Sequence, residues 1–301
     1  MIRAALVLIA CLTGSSVAAS GLQTALPAFS DRVHQAYLHQ GRVMHDSPSV
    51  FNRAANQVQG MFPDTPLAFF LLADPSPNAL SLANGHVYLN LGLLADLRGT
   101  EDLLFVLAHE ASHVARQHVA LKLRQPREGL AEAVEIEADR DALKRLGGVG
   151  WTTTGIEQLL ARLDQGLPGG RGVRRRDAVL DSGLFTDGNI AALHTGFAEF
   201  QQAAVDLLLQ YGRVEPVKRL LAELDLEPAL HTGWAAAGAW HAGELGRSVD
   251  LALDATRQGY QPARRTLALS LQQQGKTEQA LDQWRKVLTA EPNSPDAVLL
   301  S

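Results

Sequence analysis

The feature that constrains this chain most is a pair of histidines four positions apart, in a stretch without glycine or proline. Residues 105–113 are apolar before the first histidine and predict the middle of a helix. At about 100° per residue, His109 and His113 project from nearly the same face. Two imidazoles on one face can hold one Zn²⁺, and Glu110 beside them can accept a proton from a water molecule. Alone, the motif also fits a surface helix with two solvated histidines.

A catalytic zinc site needs three protein ligands, and a second helix folded back against the first can supply the third. Residues 114–123 predict a continuation of the first helix, and a second helical pattern occupies residues 128–146. On a continuous first helix, His118 would lie about 180° from His109. We therefore do not expect His118 to bind the same metal.

The second helix offers two carboxylate pairs with the same spacing. Glu135 and Asp139 share one face, whereas Glu137 and Asp141 share a face about 200° further round. The glutamate of a pair can bind the metal, and its aspartate can accept the spare N–H of a ligand histidine. Only one pair can face the metal, and the spacing does not choose between them.

Three ordered stretches between residues 65 and 146 carry a recognisable pattern. They are residues 78–80 with 83–94 (NAL and ANGHVYLNLGLL), 102–110 (DLLFVLAHE) and 135–143 (EIEADRDAL). Together they resemble the gluzincin metallopeptidases of the HtpX, BepA and OMA type. In that family, the first glutamate of the last stretch is the third zinc ligand.

The resemblance implies a metallopeptidase with one Zn²⁺ per chain. It assigns His109, His113 and Glu135 as the metal ligands and Glu110 as the general base. It also selects Asp139 as the residue that orients a ligand histidine. The choice between the two carboxylate pairs therefore rests on the family pattern.

The resemblance further implies an α+β fold that is mostly helical, a zincin-type metallopeptidase domain with a small sheet beside the HExxH helix. Residues 66–73 predict a buried strand, and residues 85–90 predict its partner. In this family, an edge strand beside the zinc helix pairs with extended substrate. The predicted substrate-binding residues are Asn84, Gly85, His86, Val87 and Tyr88.

One family feature is missing. Relatives usually carry a His-Pro pair and an arginine after the third ligand, and the nearest stretch here is residues 182–194. The His-Pro pair is absent, and Asn189 occupies the place of the arginine. His194 is the candidate replacement, as a hydrogen-bond donor to the transition state.

The first 19 residues predict an export signal. One positive charge precedes a short apolar core, and small residues follow it. We expect cleavage after Ala18 or Ala19. Residues 8–11 also resemble a lipobox, so a lipid on Cys11 is the second alternative. Both routes predict a periplasmic protein.

Composition excludes several classes of protein. No stretch approaches 18 uninterrupted apolar residues, so we expect no transmembrane span. A net charge of −5 argues against nucleic-acid binding. With 46% hydrophobic residues, the 301-residue chain can build two cores. We predict a signal peptide at 1–19, a metallopeptidase domain at 20–195 and a second domain at 196–301.

The second domain has the pattern of helical hairpins. Residues 263–292 resemble a tetratricopeptide repeat, with Gly275, Ala280, Trp284 and Pro292 at its marked positions. Gly212 and Gly246, 34 residues apart, are the predicted turns upstream. We predict an all-α tetratricopeptide-like repeat domain with a groove for peptides or partner proteins. A plain helical bundle is the alternative.

By family analogy, these features predict a periplasmic zinc endopeptidase that cleaves misfolded or stalled envelope and outer-membrane proteins. Its expected partners are unfolded or extended polypeptides and, through the repeats, the outer-membrane assembly machinery. Two alternatives stay open. One is a chaperone or assembly adaptor whose proteolysis is latent or gated, and the other is a zinc-stabilised structural protein without turnover.

Overall fold

The computed structural model describes residues 19–44, 49–94, 97–124, 129–148, 204–205, 208–209, 212, 214–223 and 226–290. It divides the chain into two compact units, residues 1–204 and 205–301. Several predicted features lie outside the described residues. They are the signal peptide up to residue 18, the boundary at 195 and 196, Cys11, Asn189 and His194.

The described residues are mostly helical, with one three-stranded sheet, which confirms the predicted mostly helical α+β class with a small sheet. The first unit contains α1 (Ala19–His39), α2 (Ser49–Met61), β1 (Ala68–Leu72), β2 (Ala79–Ser81), β3 (His86–Asn90), α3 (Leu91–Leu94), α4 (Thr100–Ala115), α5 (His118–Arg124) and α6 (Leu130–Gly148). The second unit contains α7 (Val214–Glu223), α8 (Pro228–His241), α9 (Leu245–Arg257), α10 (Ala263–Gln273) and α11 (Thr277–Ala290). None of these helices combines the length and apolar content that crossing a membrane requires.

Helix α4 is the central helix of the first unit. Its residues from Asp102 to His113 are all buried, because α2, α6 and the sheet pack around it. A helix surrounded in this way needs apolar residues on every face, which explains the sequence DLLFVLA before the first histidine. The two histidines are therefore presented from inside the core.

The sheet has the order β1-β3-β2, so β3 is its central strand. β3 pairs in parallel with β1 and antiparallel with β2. The prediction that residues 84–88 form an edge strand for substrate is therefore wrong. The backbone of residues 86–88 is already paired within the sheet, which leaves no open edge there for another strand.

The outer edge of β1 is covered by another segment, whereas that of β2 is not covered by any described strand. Residues 42–44 run beside β1, where the Met44 N–H donates to the Leu71 carbonyl at 3.0 Å and the Ala73 N–H donates to the Arg42 carbonyl at 2.8 Å. Among the described residues, no strand pairs with the outer side of β2. β2 also packs against α4. It is thus the exposed edge next to the central helix.

The first helix ends earlier than predicted. α4 stops at Ala115, Gln117 adopts a left-handed backbone with a φ of 53°, and α5 begins at His118. Residues 114–123 are therefore not one continuous helix. The Arg116 guanidinium donates to Glu137 at 2.8 Å and to Asp141 at 2.9 Å, both on α6. Such a tertiary contact leaves no signature in local helix propensity.

The second unit consists of helical hairpins. Gly212, Gly243 and Gly275 mark turns at nearly equal intervals, each with a positive φ. At Gly243, the N–H of Glu244 returns to the Ala239 carbonyl, the hydrogen bond that closes a Schellman motif. The predicted turn at Gly246 is wrong, because this residue lies inside α9. The tetratricopeptide character of the unit stays a prediction.

Replacing Gly92 with alanine should destabilise the protein. A β-carbon here would lie 2.2 Å from the carbonyl oxygen of Pro75 and 2.4 Å from its carbonyl carbon. Both are backbone atoms that cannot rotate away, so we expect the free energy of unfolding to fall by about 3 kcal/mol or more. Urea unfolding followed by circular dichroism measures it.

The matched control is Gly60→Ala in α2. No described atom lies within 4 Å of a β-carbon there. Alanine should therefore be neutral or stabilise the helix by up to about 1 kcal/mol. Equal losses in the two variants would contradict the close approach at Gly92.

Asp141→Asn should lower stability in a pH-dependent way. Burial alone would raise the pKa of Asp141, but hydrogen bonds from Arg116 and Arg145 outweigh it and lower the pKa. A lowered pKa stabilises the fold above the unfolded-state value of about 4, and this contribution disappears as the pH falls through the folded-state pKa. We expect a loss of about 1–2 kcal/mol at pH 7, because the partner Arg116 is partly exposed.

Urea titrations of wild type and Asp141→Asn at several pH values, with chelator present, measure this difference. It should be constant between pH 5 and pH 8 and shrink below about pH 4. A difference that grows towards low pH would contradict the assignment.

Candidate metal centre

Three potential ligand atoms converge between α4 and α6. The Nε2 atoms of His109 and His113 lie 3.0 Å apart. Oε2 of Glu135 lies 3.4 Å from the first and 3.5 Å from the second. The histidines come from successive turns of α4, and Glu135 comes from α6, which packs against α4. The structure therefore brings the three predicted ligands together.

The spacing of these atoms fits Zn²⁺. Zinc bonds of about 2.0–2.2 Å in a tetrahedral arrangement place ligand atoms roughly 3.3–3.6 Å from one another. The two distances from Glu135 fall in this range, and the two histidine nitrogens, at 3.0 Å, lie slightly closer. Two imidazoles and one carboxylate are also the donor set of catalytic zinc sites that keep a fourth position open. Both histidines are 6% exposed. Within the described residues, no other His, Cys, Asp or Glu group gathers in this way.

Asp139 fixes one of the two histidines. Its Oδ1 lies 2.8 Å from Nδ1 of His109, and its side chain is fully buried. When Nδ1 of His109 donates to this carboxylate, the Nε2 lone pair is left to face the metal. This geometry is the one that the predicted role of Asp139 requires, and the role itself stays a prediction.

The competing carboxylate pair faces elsewhere. Glu137 and Asp141 both accept hydrogen bonds from Arg116, and Asp141 also accepts one from Arg145 at 3.1 Å. The two pairs on α6 are thus divided between the metal centre and an arginine cluster. The structure places Glu135, rather than Glu137, against the histidines.

Glu110, the predicted general base, lies in α4 directly after the first histidine. It is 7% exposed and therefore shares the buried environment of the two ligands. A partly desolvated carboxylate beside a metal is suited to proton transfer with a water molecule. Its role as the base remains a prediction.

The contacts of His118 and Lys122 with the metal-ligand candidates were not predicted from the sequence. Nδ1 of His118 lies 2.8 Å from Nδ1 of His113, and the residue is 1% exposed. Burial, with a further contribution from His113, lowers the pKa of His118 to about 4, so the ring is neutral at pH 7. Lys122 donates to Oε1 of Glu135 at 3.1 Å. Both were missed because the break at Gln117 was not expected.

The predicted substrate-binding side chains mostly face α1. Asn84 donates to Asp31 at 2.8 Å, and the hydroxyl of Tyr88 contacts His86 at 3.2 Å and His34 at 2.9 Å. Val87 and Tyr88 are fully buried or nearly so. These contacts tie α1 to the sheet. The side chains of His86 and Tyr88 therefore hold α1 against the sheet, and that of Val87 lies in the core.

Asn84 and Gly85 have a different position from the other three. They line a cavity of about 410 Å³ that reaches His113. The rest of its lining comes from α1, residues 64–66, residues 82–83, the end of α4, Gln117 and α5. This cavity lies beside the metal centre and is large enough for an amino-acid side chain.

Comparison with known proteins gives three matches. Residues 46–164 match peptidase family M48. The "Putative beta-barrel assembly-enhancing protease" of Vibrio cholerae serotype O1 is 34% identical over 61 residues, which is 20% of this chain and 13% of that protein. The "Mitochondrial metalloendopeptidase OMA1" of Schizosaccharomyces pombe is 40% identical over 53 residues, 18% of this chain and 16% of that protein. The chain therefore spans well under a fifth of either relative.

Asp139→Asn should weaken metal binding by about 10- to 100-fold, because the amide is a poorer acceptor for the N–H of His109. Competition with a chromophoric chelator measures the affinity for Zn²⁺. Asp141→Asn, two residues further along α6, is the matched control and should stay within about threefold of wild type. A larger loss in the control would favour the other carboxylate register.

Proposed function

We propose that this chain, whose residues 46–164 match peptidase family M48, is a zinc-dependent endopeptidase. His109, His113 and Glu135 would hold the metal, and Glu110 would act as the general base. The observation that carries this proposal is the convergence of the three ligand atoms within 4.8 Å of one another. The three atoms come from two different helices, and they form a donor set that suits zinc.

The chemistry divides between the metal and the chain. A bound Zn²⁺ would supply the positive charge that acidifies a water molecule and polarises the peptide carbonyl. Glu110 accepts the proton of the water as its oxygen bonds to the carbonyl carbon. Glu110 then delivers this proton to the amide nitrogen as the C–N bond breaks. Asp139 meanwhile keeps the His109 ring in the tautomer whose Nε2 is unprotonated.

The substrates of a protease are polypeptides, and the free edge of β2 supports an extended conformation for them. β2 packs against α4, and no described strand covers its outer side. A substrate strand added there would form main-chain hydrogen bonds irrespective of its sequence. This edge replaces residues 84–88 as the proposed binding segment, since β3 is paired on both sides.

We place the protein in the periplasm, where it would cleave misfolded or stalled envelope and outer-membrane proteins. The signal-like pattern of residues 1–19 supports the location. The name of the Vibrio cholerae relative supports a link to outer-membrane assembly. The helical hairpins of the second unit would engage that machinery or the substrate, and they also favour the adaptor function as the second candidate.

Glu110→Gln should retain one zinc per chain and lose cleavage of casein by about 100-fold or more, because the amide cannot accept the proton. Metal content and cleavage are measured on the full chain beside wild type. Glu101→Gln, on the first turn of the same helix, is the control and should keep both properties.

Unchanged cleavage by Glu110→Gln would contradict the assigned base. A wild-type protein that binds zinc and cleaves no unfolded substrate would favour the adaptor function. A wild-type protein that binds no zinc would overturn the proposal as a whole.

A further inference from the structure

We propose that the short helix α5 positions two of the three metal ligands, with His118 holding His113 and Lys122 holding Glu135. The inference rests on the proposed zinc site and extends it to residues to which no role has been assigned. It makes α5 the counterpart of Asp139, which serves the remaining ligand, His109.

The backbone break before α5 makes this arrangement possible. Gln117 has a left-handed backbone conformation and interrupts the helix after α4. The side chain of His118 therefore does not point where it would on a continuous helix. His118 and Lys122 then lie four residues apart on one face of α5. Each makes a polar contact with a different ligand, at 2.8 Å and 3.1 Å.

The contact of His118 sets the tautomer of His113. Nε2 of His113 faces the other ligand atoms, so its proton belongs on Nδ1, and Nδ1 of His118 must accept it. The remaining proton of His118 is then on Nε2, which lies 3.4 Å from Oε2 of Glu137, long for a hydrogen bond but favourable in charge. Glu137 is held in turn by Arg116.

The contact of Lys122 sets how Glu135 binds. The Lys122 ammonium donates to Oε1 of Glu135, whereas Oε2 of Glu135 is the oxygen turned towards the two histidines. The Lys122 side chain is 20% exposed and that of Glu135 is 14% exposed, so the pair is shielded from most solvent. The geometry points to a carboxylate that offers one oxygen to the metal and keeps the other for the lysine.

The first test measures Zn²⁺ affinity by chelator competition on the full chain. His118→Leu removes the acceptor and should weaken binding by about 10- to 100-fold. His118→Asn retains an acceptor close to the position of Nδ1 and should recover most of that loss. His34→Leu is the control, since His34 contacts Tyr88 and none of the ligands, and its affinity should equal that of wild type.

The second test uses Co²⁺ as a probe, because its visible absorption is stronger in four-coordinate than in five-coordinate sites. Lys122→Met frees Oε1 of Glu135 to join the metal, so the absorption should weaken and shift. Lys122→Arg should preserve the wild-type spectrum. Lys144→Met removes an exposed lysine from α6 and should leave the spectrum unchanged.

These outcomes separate the inference from the proposed function. Wild-type zinc affinity in His118→Leu, or equal losses in the leucine and asparagine variants, would overturn the role of His118. An unchanged Co²⁺ spectrum in Lys122→Met would overturn the role of Lys122. In each case a zinc-loaded, proteolytic wild type would leave the proposed function standing, whereas a wild type without zinc would remove the basis of both.

Discussion

The packing of α4 against α6 is the contact on which the rest of the site depends. Two imidazoles and a carboxylate from separate helices meet within a few ångströms, and they can do so only if the helices keep one rotation relative to each other. The buried bond between His109 and Asp139 and the arginine cluster of Arg116, Glu137 and Asp141 both bridge these helices. Polar contacts therefore join α6 to α4 on two of its faces.

Much of the site could be predicted from local spacing. The separation of His109 and His113 by one helical turn needs no tertiary information, because helix geometry alone puts them on one face. The choice of Glu135 over Glu137 did need information beyond local spacing, since both glutamates satisfy the same spacing. The family pattern selected Glu135, and the position of Arg116 gives a physical reason, as it binds Glu137 on the other side of α6.

The features that could not be predicted are those set by long-range contacts. Nothing in residues 114–123 signals a helix break, because Gln117, which adopts the left-handed backbone, is neither glycine nor proline. The order of the strands is likewise set by long-range contacts. Residues 86–90 have an apolar strand pattern whether they lie at the edge or the centre of a sheet, and only pairing with β1 and β2 shows that β3 is central.

The position of α5 also links the cavity to the metal. One face of the helix carries His118 and Lys122, while Gln117, Val119 and Ala120 line the cavity that reaches His113. If α5 positions the ligands as proposed, a small molecule that fills this cavity and displaces the helix changes the affinity for the metal. By thermodynamic reciprocity, the metal must change the affinity for that molecule by the same factor. A ligand of this cavity would thus weaken metal binding at the proposed site without coordinating the metal.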